Sequence, residues 1–211
     1  MSATVAAPLV AAIEQAWADI RKRHPEVPEV VVTIGSGSEA KGMKLGHFAA
    51  ARWVRGEDEL HELFVGGEGL AGGAASVLAT LLHEAAHAAA QSRGIQDTSR
   101  QGRYHNQRFK SIAEGLGLTI EHDQSIGWSV TTLPRHTEAE YAETIATLHT
   151  AITAHRRAEA IATGGGRKSN NNGAAVVCGC GRKIRASLSV IEAGPIICGI
   201  CGTAFESEEN S

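Results

Sequence analysis

Residues 74–90 read AASVLATLLHEAAHAAA, and the reading of this stretch governs the reading of the rest. Nothing in it breaks a helix, and Val77, Leu78, Leu81, Leu82 and Ala85 fall on one broad apolar face, the pattern of a helix turned toward a core. Toward its end His83 and His87 stand four residues apart, so both imidazoles project from one side of that helix at neighbouring heights. The spacing suits a single Zn²⁺. Glu84, one position past the first histidine, can reach a water activated by such an ion, take its proton during attack on a carbonyl, and deliver that proton to a leaving amine.

Working outward, Leu9, Ile13, Trp17 and Ile20 recur at helical spacing and stop before His24-Pro25, which predicts an amphipathic opening helix. Val30, Val31, Val32 and Ile34 form a β-branched run closed by Gly35-Ser36-Gly37. Residues 46–54 and 60–65 follow as strands, joined by a turn at Gly56-Glu57-Asp58. The expected architecture is α+β, with a small, mostly antiparallel sheet packed on helices. Downstream, His105, Phe109, Ile112 and Leu116 lie at steps of four, three and four, predicting a second helix that begins with His105 and ends at Gly115 and Gly117. A catalytic zinc needs a third protein ligand beside an open position, and an inward-facing His105 is the candidate. His122, His136, Asp97 and Glu114 are weaker candidates. His61-Glu62 reads as a strand surface pair, since position 65 is Val. A later helix is expected over residues 137–160, with Tyr141, Ile145, Leu148 and Ile152 facing inward.

Gly164-Gly165-Gly166 through Asn170-Asn171-Asn172-Gly173 has the composition of a linker. The expected organisation is a main domain over residues 1–162, a linker over 163–175, a small module over 176–206 and a tail over 207–211. The module holds all four cysteines. Cys178-Gly-Cys180 and Cys198-Gly-Ile-Cys201 supply four thiolates in two knuckles, with Gly181 and Gly202 following each pair and allowing tight turns, the ligand set of a structural zinc. Ile184, Leu188, Val190, Ile196 and Ile197 are the β-type residues of a ribbon. Some 35 residues could scarcely bury enough surface to fold without the metal.

The 211 residues are 43% hydrophobic and 20% charged, with a net charge of −3, which excludes a disordered polyelectrolyte and a generically basic DNA-coating protein. Aromatics make up 4% and glycines number 24, so the core must rest on small and aliphatic side chains. Residues 5–13 lack a preceding basic residue and are followed by Glu14 and Asp19, a poor secretory signal. No stretch is long enough and apolar enough to span a membrane. Clustered cysteines point to a metal site in a reducing, cytoplasmic setting. Two segments are locally basic. Residues 91–110 carry Arg93, Arg100, Arg103, Arg108 and Lys110 against Asp97 alone, and residues 163–191 carry five basic residues and no acidic one. A phosphate-contacting track is one reading of them and a solvated surface the other, because no aromatic platform is interleaved with those charges along the chain.

Leu81-Leu82-His83-Glu84-Ala85-Ala86-His87-Ala88, Tyr104-His105-Asn106-Gln107-Arg108-Phe109, Gly127-Trp128-Ser129 and the C-terminal four-cysteine module together resemble the SprT-like metalloprotease family, which includes Spartan. The similarity spans roughly residues 8–206. It implies a zincin-type fold, a three-histidine zinc site of His83, His87 and His105 with Glu84 as the catalytic glutamate, and a structural zinc on Cys178, Cys180, Cys198 and Cys201. It further implies a zinc-dependent endopeptidase, the family's best-known members cleaving proteins crosslinked to DNA; with it, the basic residues 91–110 and 163–191 become the expected DNA contacts and the clustered cysteines keep the expected location cytoplasmic or at the nucleoid. Where many members have His-Gly-x-x-Phe, this chain has His105-Asn106-Gln107-Arg108-Phe109. The rival reading is a non-catalytic nucleic-acid-binding adaptor in which both metal sites are structural.

Overall fold

The computed structural model describes residues 4–39, 42–159 and 173–207. The chain divides into two units, Met1–Ile161 and Ala162–Ser211. The expected linker positions 163–172 and tail positions 208–211 lie outside the described residues.

In the first unit the apolar stripe near the N-terminus forms α1 (Ala6–Arg23), which buries Leu9, Ile13, Trp17 and Ile20. Ile13 and Ile20 are fully enclosed, each contributing roughly 1.5–3 kcal/mol by leaving water. The Trp17 indole N–H donates to the Pro28 carbonyl at 2.9 Å, fixing how the chain leaves the helix. Strand β1 (Val30–Gly35) follows, then the two-residue strands β2 (Ser38–Glu39) and β3 (Gly42–Met43), then β4 (Gly46–Arg55) and β5 (Asp58–Gly66). The sheet order is β1-β5-β4, with β1 parallel to β5 and β4 antiparallel to it. This corrects the expectation of a mostly antiparallel sheet: the fold is α+β with small mixed sheets. The cause is the central position of β5, whose Leu63 and Val65 are buried while it bonds a partner on each side. Strand β4 is left at the edge.

A 3₁₀ turn (Gly69–Gly72) leads into α2 (Gly73–Ser92), the helix predicted from residues 74–90. Its alanines at 85, 86, 88, 89 and 90 are almost fully buried, and small side chains let neighbouring elements approach its axis. Strands β6 (Thr98–Ser99) and β7 (Tyr104–His105) form a short hairpin before α3 (Gln107–Gly115), β8 (Thr119–Asp123) and β9 (Gly127–Thr132). These strands make a second mixed sheet in the order β6-β7-β9-β8.

Two sequence expectations change here. His105 belongs to β7 and precedes the helix it was expected to open. Asn106 is the cap, its side-chain oxygen accepting the N–H groups of Arg108 at 2.8 Å and Phe109 at 3.3 Å, so α3 starts at Gln107, two residues past His105. The long helix expected over residues 137–160 is instead α4 (Arg135–Glu140) and α5 (Ala142–Ala151), separated at Tyr141. Beyond Ile152 the chain leaves the helix because tertiary bonds win: the Arg156 N–H donates to the Gly67 carbonyl at 2.9 Å, and its guanidinium binds Glu68 at 2.7 Å. No helix among the described residues is long and apolar enough to cross a membrane.

The second unit is a three-stranded antiparallel sheet, β11-β10-β12, made of β10 (Ala174–Val177), β11 (Lys183–Ala186) and β12 (Glu206–Ser207). Leu188 and Val190, expected in ribbon strands, lie in the short helix α6 (Leu188–Ala193) and are exposed. Val176 is the buried apolar residue at its centre, so apolar burial alone stabilises this unit little.

Candidate metal centre

Helix α2 presents His83 and His87 side by side, and β7 brings His105 against them. The ligand-capable nitrogens of the three lie within 4.8 Å of one another. Their ring centroids form a nearly equilateral triangle, with sides of 5.1, 5.1 and 5.0 Å. Phe109, fully buried on the first turn of α3, sits 4.7, 4.5 and 4.6 Å from the three rings and forms a common floor beneath them.

Each ring is held from its far nitrogen. The Nδ1 of His87 is 2.5 Å from Asp97 Oδ2, the Nδ1 of His105 is 3.1 Å from the Ile126 carbonyl, and the Nδ1 of His83 is 2.8 Å from the Thr131 hydroxyl. A carboxylate and a carbonyl can only accept, so the protons of neutral His87 and His105 sit on Nδ1. The Nε2 lone pairs of these two rings therefore face each other across 3.1 Å. Two nitrogens bonded to one tetrahedral zinc at ~2.0–2.1 Å stand about 3.3 Å apart, so the spacing fits a shared cation. Burial holds the His83 ring well below the usual histidine pKa, reinforced by His87 and His105, and burial also lowers His105. Rings kept neutral are rings able to bind metal.

Glu84 reaches toward the start of β4. It is buried, and one oxygen accepts the Phe48 N–H at 2.8 Å. Burial pushes its carboxyl above the ordinary range, opposed by the nearby histidine and that N–H. Gly46 makes this arrangement possible, because a Cβ there would meet Thr80 Cγ2 at 2.7 Å and Glu84 Cγ at 2.9 Å. Glu84 and the three histidines line one open cleft of about 370 Å³, whose opposite wall is the β4 edge from Gly46 to Ala50. His47 belongs to that wall, with a pKa lowered by partial burial and by Lys44.

The weaker candidates separate. Asp97 orients His87 from outside the triangle, Glu114 pairs with Lys110 at 3.6 Å, and His122 contacts Tyr104 and Trp128. His136 is exposed on α4. His61 accepts the Ala51 N–H and Glu62 accepts the Trp53 indole N–H, consistent with a strand pair. Sequence reasoning did not find Thr131, Ile126, Phe48, Phe109 or His47 as parts of the site. The glycine next to Ile126 marks the contact: Gly127 has φ +77, and a Cβ there would stand 2.1 Å from the His105 carbonyl oxygen, so the β9 strand can lie against His105 only with glycine.

In the second unit the four cysteine sulfurs also lie within 4.8 Å of one another. Cys178 and Cys180 sulfurs are 3.3 Å apart, and those of Cys180 and Cys198 3.8 Å, close to the ~3.8 Å that Zn–S bonds of ~2.3 Å impose in a tetrahedron. Both knuckles close with the same backbone bonds, displaced by one residue. In the shorter, Gly181 donates to the Cys178 carbonyl and Cys178 to that of Arg182; in the longer, Gly202 donates to Cys198 and Cys198 to Thr203. Thr203 ties them together, its hydroxyl accepting the Gly179 N–H at 2.8 Å and lying 3.1 Å from the Cys201 sulfur. The Thr203 hydroxyl and N–H hold the Cys201 thiol down at about 5, favouring thiolate. Both clusters could hold a metal ion.

No protein-family model matches the chain, and no curated protein or solved structure is found to be similar to it.

Proposed function

We propose that the first unit is a zinc-dependent endopeptidase of SprT-like type with a zincin-like fold, and that the second is a structural zinc ribbon. The observation that carries this reading is the facing pair of Nε2 lone pairs on His87 and His105 with Glu84 in the same cleft. His83, His87 and His105 would hold the catalytic ion and the four cysteines the structural one. Bound zinc supplies Lewis acidity, polarising a peptide carbonyl and making water nucleophilic at neutral pH.

The chain's own residues then divide the labour. Asp97, Ile126 and Thr131 fix the three ring orientations, and Phe109 supports all of them from below. Glu84 accepts a proton from the attacking water as its oxygen bonds to the carbonyl carbon, then gives that proton to the amine as the C–N bond breaks. A carboxyl raised by burial is suited to both halves of that task. Strand β4 is an outer strand of its sheet where it lines the cleft, so its main-chain groups other than the Phe48 N–H, which Glu84 takes, would complement an extended polypeptide. The substrate class is accordingly protein, and the resemblance in the motifs points to proteins associated with DNA. A cluster of four thiols shaped for metal supports a reducing, intracellular setting.

The test compares zinc-loaded protein with Glu84→Gln on an unfolded protein substrate, alone and with DNA. Wild type is expected to cleave, while Glu84→Gln keeps its metal and loses about 10²–10⁴-fold in rate. Equal activity in both proteins would exclude Glu84 as base and end the hydrolytic reading.

A further inference from the structure

Helix α2 carries one cleft-lining side chain that neither the metal nor the proton transfer uses. Gln91 stands four residues past His87 and seven past Glu84. Seven residues nearly complete two helical turns, so Gln91 lies on the same stripe as Glu84, about 10.5 Å further along the axis and about 6 Å beyond His87. All three residues line the cleft. The helix therefore offers the cleft a carboxyl group, an imidazole and an amide in succession.

The chain reverses just after that amide. The Gly94 N–H donates to the Gln91 carbonyl at 3.1 Å and the Ile95 N–H to that of Ala90 at 2.8 Å, which returns Ile95 to the end of α2 and onto the cleft wall. Gly94 has φ +63, the left-handed backbone such a helix end needs. Thr98 also lines the cleft, in register with His105 across β6 and β7. Strand β4 contributes no residue past Ala50, where its pairing with β5 shifts and Ala51 takes φ +51.

The Gln91 side chain is exposed, and its amide has no hydrogen-bond partner among the described residues; nor has the Thr98 hydroxyl. Ile95 and Ala50 add apolar wall. No lysine or arginine lines the cleft, and its acidic groups are Glu84 and Asp97, the latter already bonded to His87. A carboxylate side chain brought to Gln91 would meet the like charge of Asp97 with no basic side chain to answer it. An ammonium, which only donates, would use the carbonyl half of the amide, and an apolar side chain neither half. A carboxamide gives each half its complement, N–H to C=O and C=O to N–H. An extended chain advances about 3.3 Å per residue, so a side chain at Gln91 belongs to a residue two or three positions from the bond held beside Glu84.

We infer that Gln91 is the specificity-determining residue of this cleft and selects a polypeptide carrying glutamine or asparagine two or three residues from the bond to be cut. This assignment rests on the proposed peptidase reading and names the sequence such an enzyme prefers.

The test applies two assays to the full zinc-loaded chain. In the first, wild type digests unstructured peptides that differ at one position, holding Gln, Asn, Glu, Lys or Leu, and the products are sequenced. Cuts two or three residues from Gln or Asn are expected about tenfold faster than those near Glu, Lys or Leu, the effect of one or two net hydrogen bonds. In the second, the Glu84→Gln protein is titrated with the same labelled peptides by fluorescence anisotropy, and affinity follows the same ranking. Gln91→Glu, with zinc content unchanged, moves the preference from Gln to Lys in both assays, whereas a packing role would weaken every peptide alike. If no peptide is cut but binding keeps its Gln91-dependent ranking, the peptidase reading ends and Gln91 stands as the selector of a bound peptide. The inference is overturned if Glu, Lys or Leu peptides rank with Gln, if Gln91→Glu keeps the wild-type ranking, or if no peptide binds.

Discussion

The Asp97 carboxylate does for His87 what a backbone carbonyl does for His105: it fixes which nitrogen carries the proton and where the other one points. Replacing it with alanine removes the orientation and leaves the ligand. Asp97→Ala is therefore expected to weaken zinc binding about 10–100-fold in chelator competition, with the fold retained. Unchanged affinity would assign the orientation of His87 to packing on Phe109 alone. The two helical histidines and Glu84 could be recognised in the sequence because four-residue spacing on a helix is local geometry. Their supports could not, since Thr131 is 48 positions from His83 and Ile126 is 21 from His105. Asp97 was visible only as one acid among several, and nothing in the sequence distinguished ligand from orienting partner.

Among elements, the close contact between β4 and α2 rests on Gly46. A methyl group there must displace either the Thr80 methyl or the Glu84 side chain. Gly46→Ala is expected to destabilise the first unit by about 1–3 kcal/mol in denaturant unfolding and to reduce cleavage more than zinc content, because Glu84 moves and the histidines do not. Parallel loss of zinc and activity would mean that the whole helix shifts. Helices α1 and α2 and strands β4 and β5 were legible because their apolar periods are strong and their breakers, Pro25 and Gly56, sit at the ends. The end of α5 was not. Residues 152–159 keep a helical composition, and what removes them from the helix is a carboxylate on Glu68, far away in sequence. Likewise the parallel pairing of β1 with β5 is a matter of topology, and an apolar strand reads the same in either direction.

For the molecule as a whole, Glu68 is the principal buried charge that ties distant segments. Its side chain is 3% exposed and accepts the Ser38 hydroxyl at 2.7 Å, the Gly37 N–H at 2.7 Å and the Arg156 guanidinium at 2.7 Å. These bonds, Ser38 foremost, hold its carboxyl at about 2, below the ordinary 4.5. A carboxyl depressed by folding stabilises fully above its unfolded pKa and loses that contribution as pH falls toward the folded value. Stability of the first unit is therefore expected to decline between pH about 4.5 and 2. Glu68→Gln should be less stable at pH 7 and show a flatter decline across that interval in acid titration by circular dichroism. A wild-type curve matching the variant in slope would remove Glu68 from the acid response.

On the proposed reading, the place of β4 at the sheet edge has a consequence for selectivity. Main-chain amides recognise any extended polypeptide alike, so a cleft that grips chiefly through them is blind, outside the one position at Gln91, to the identity of what it cuts. Such an enzyme would owe its restraint to where it is delivered and to whether the victim is already unravelled. Most discrimination would then reside in surfaces remote from the scissile bond.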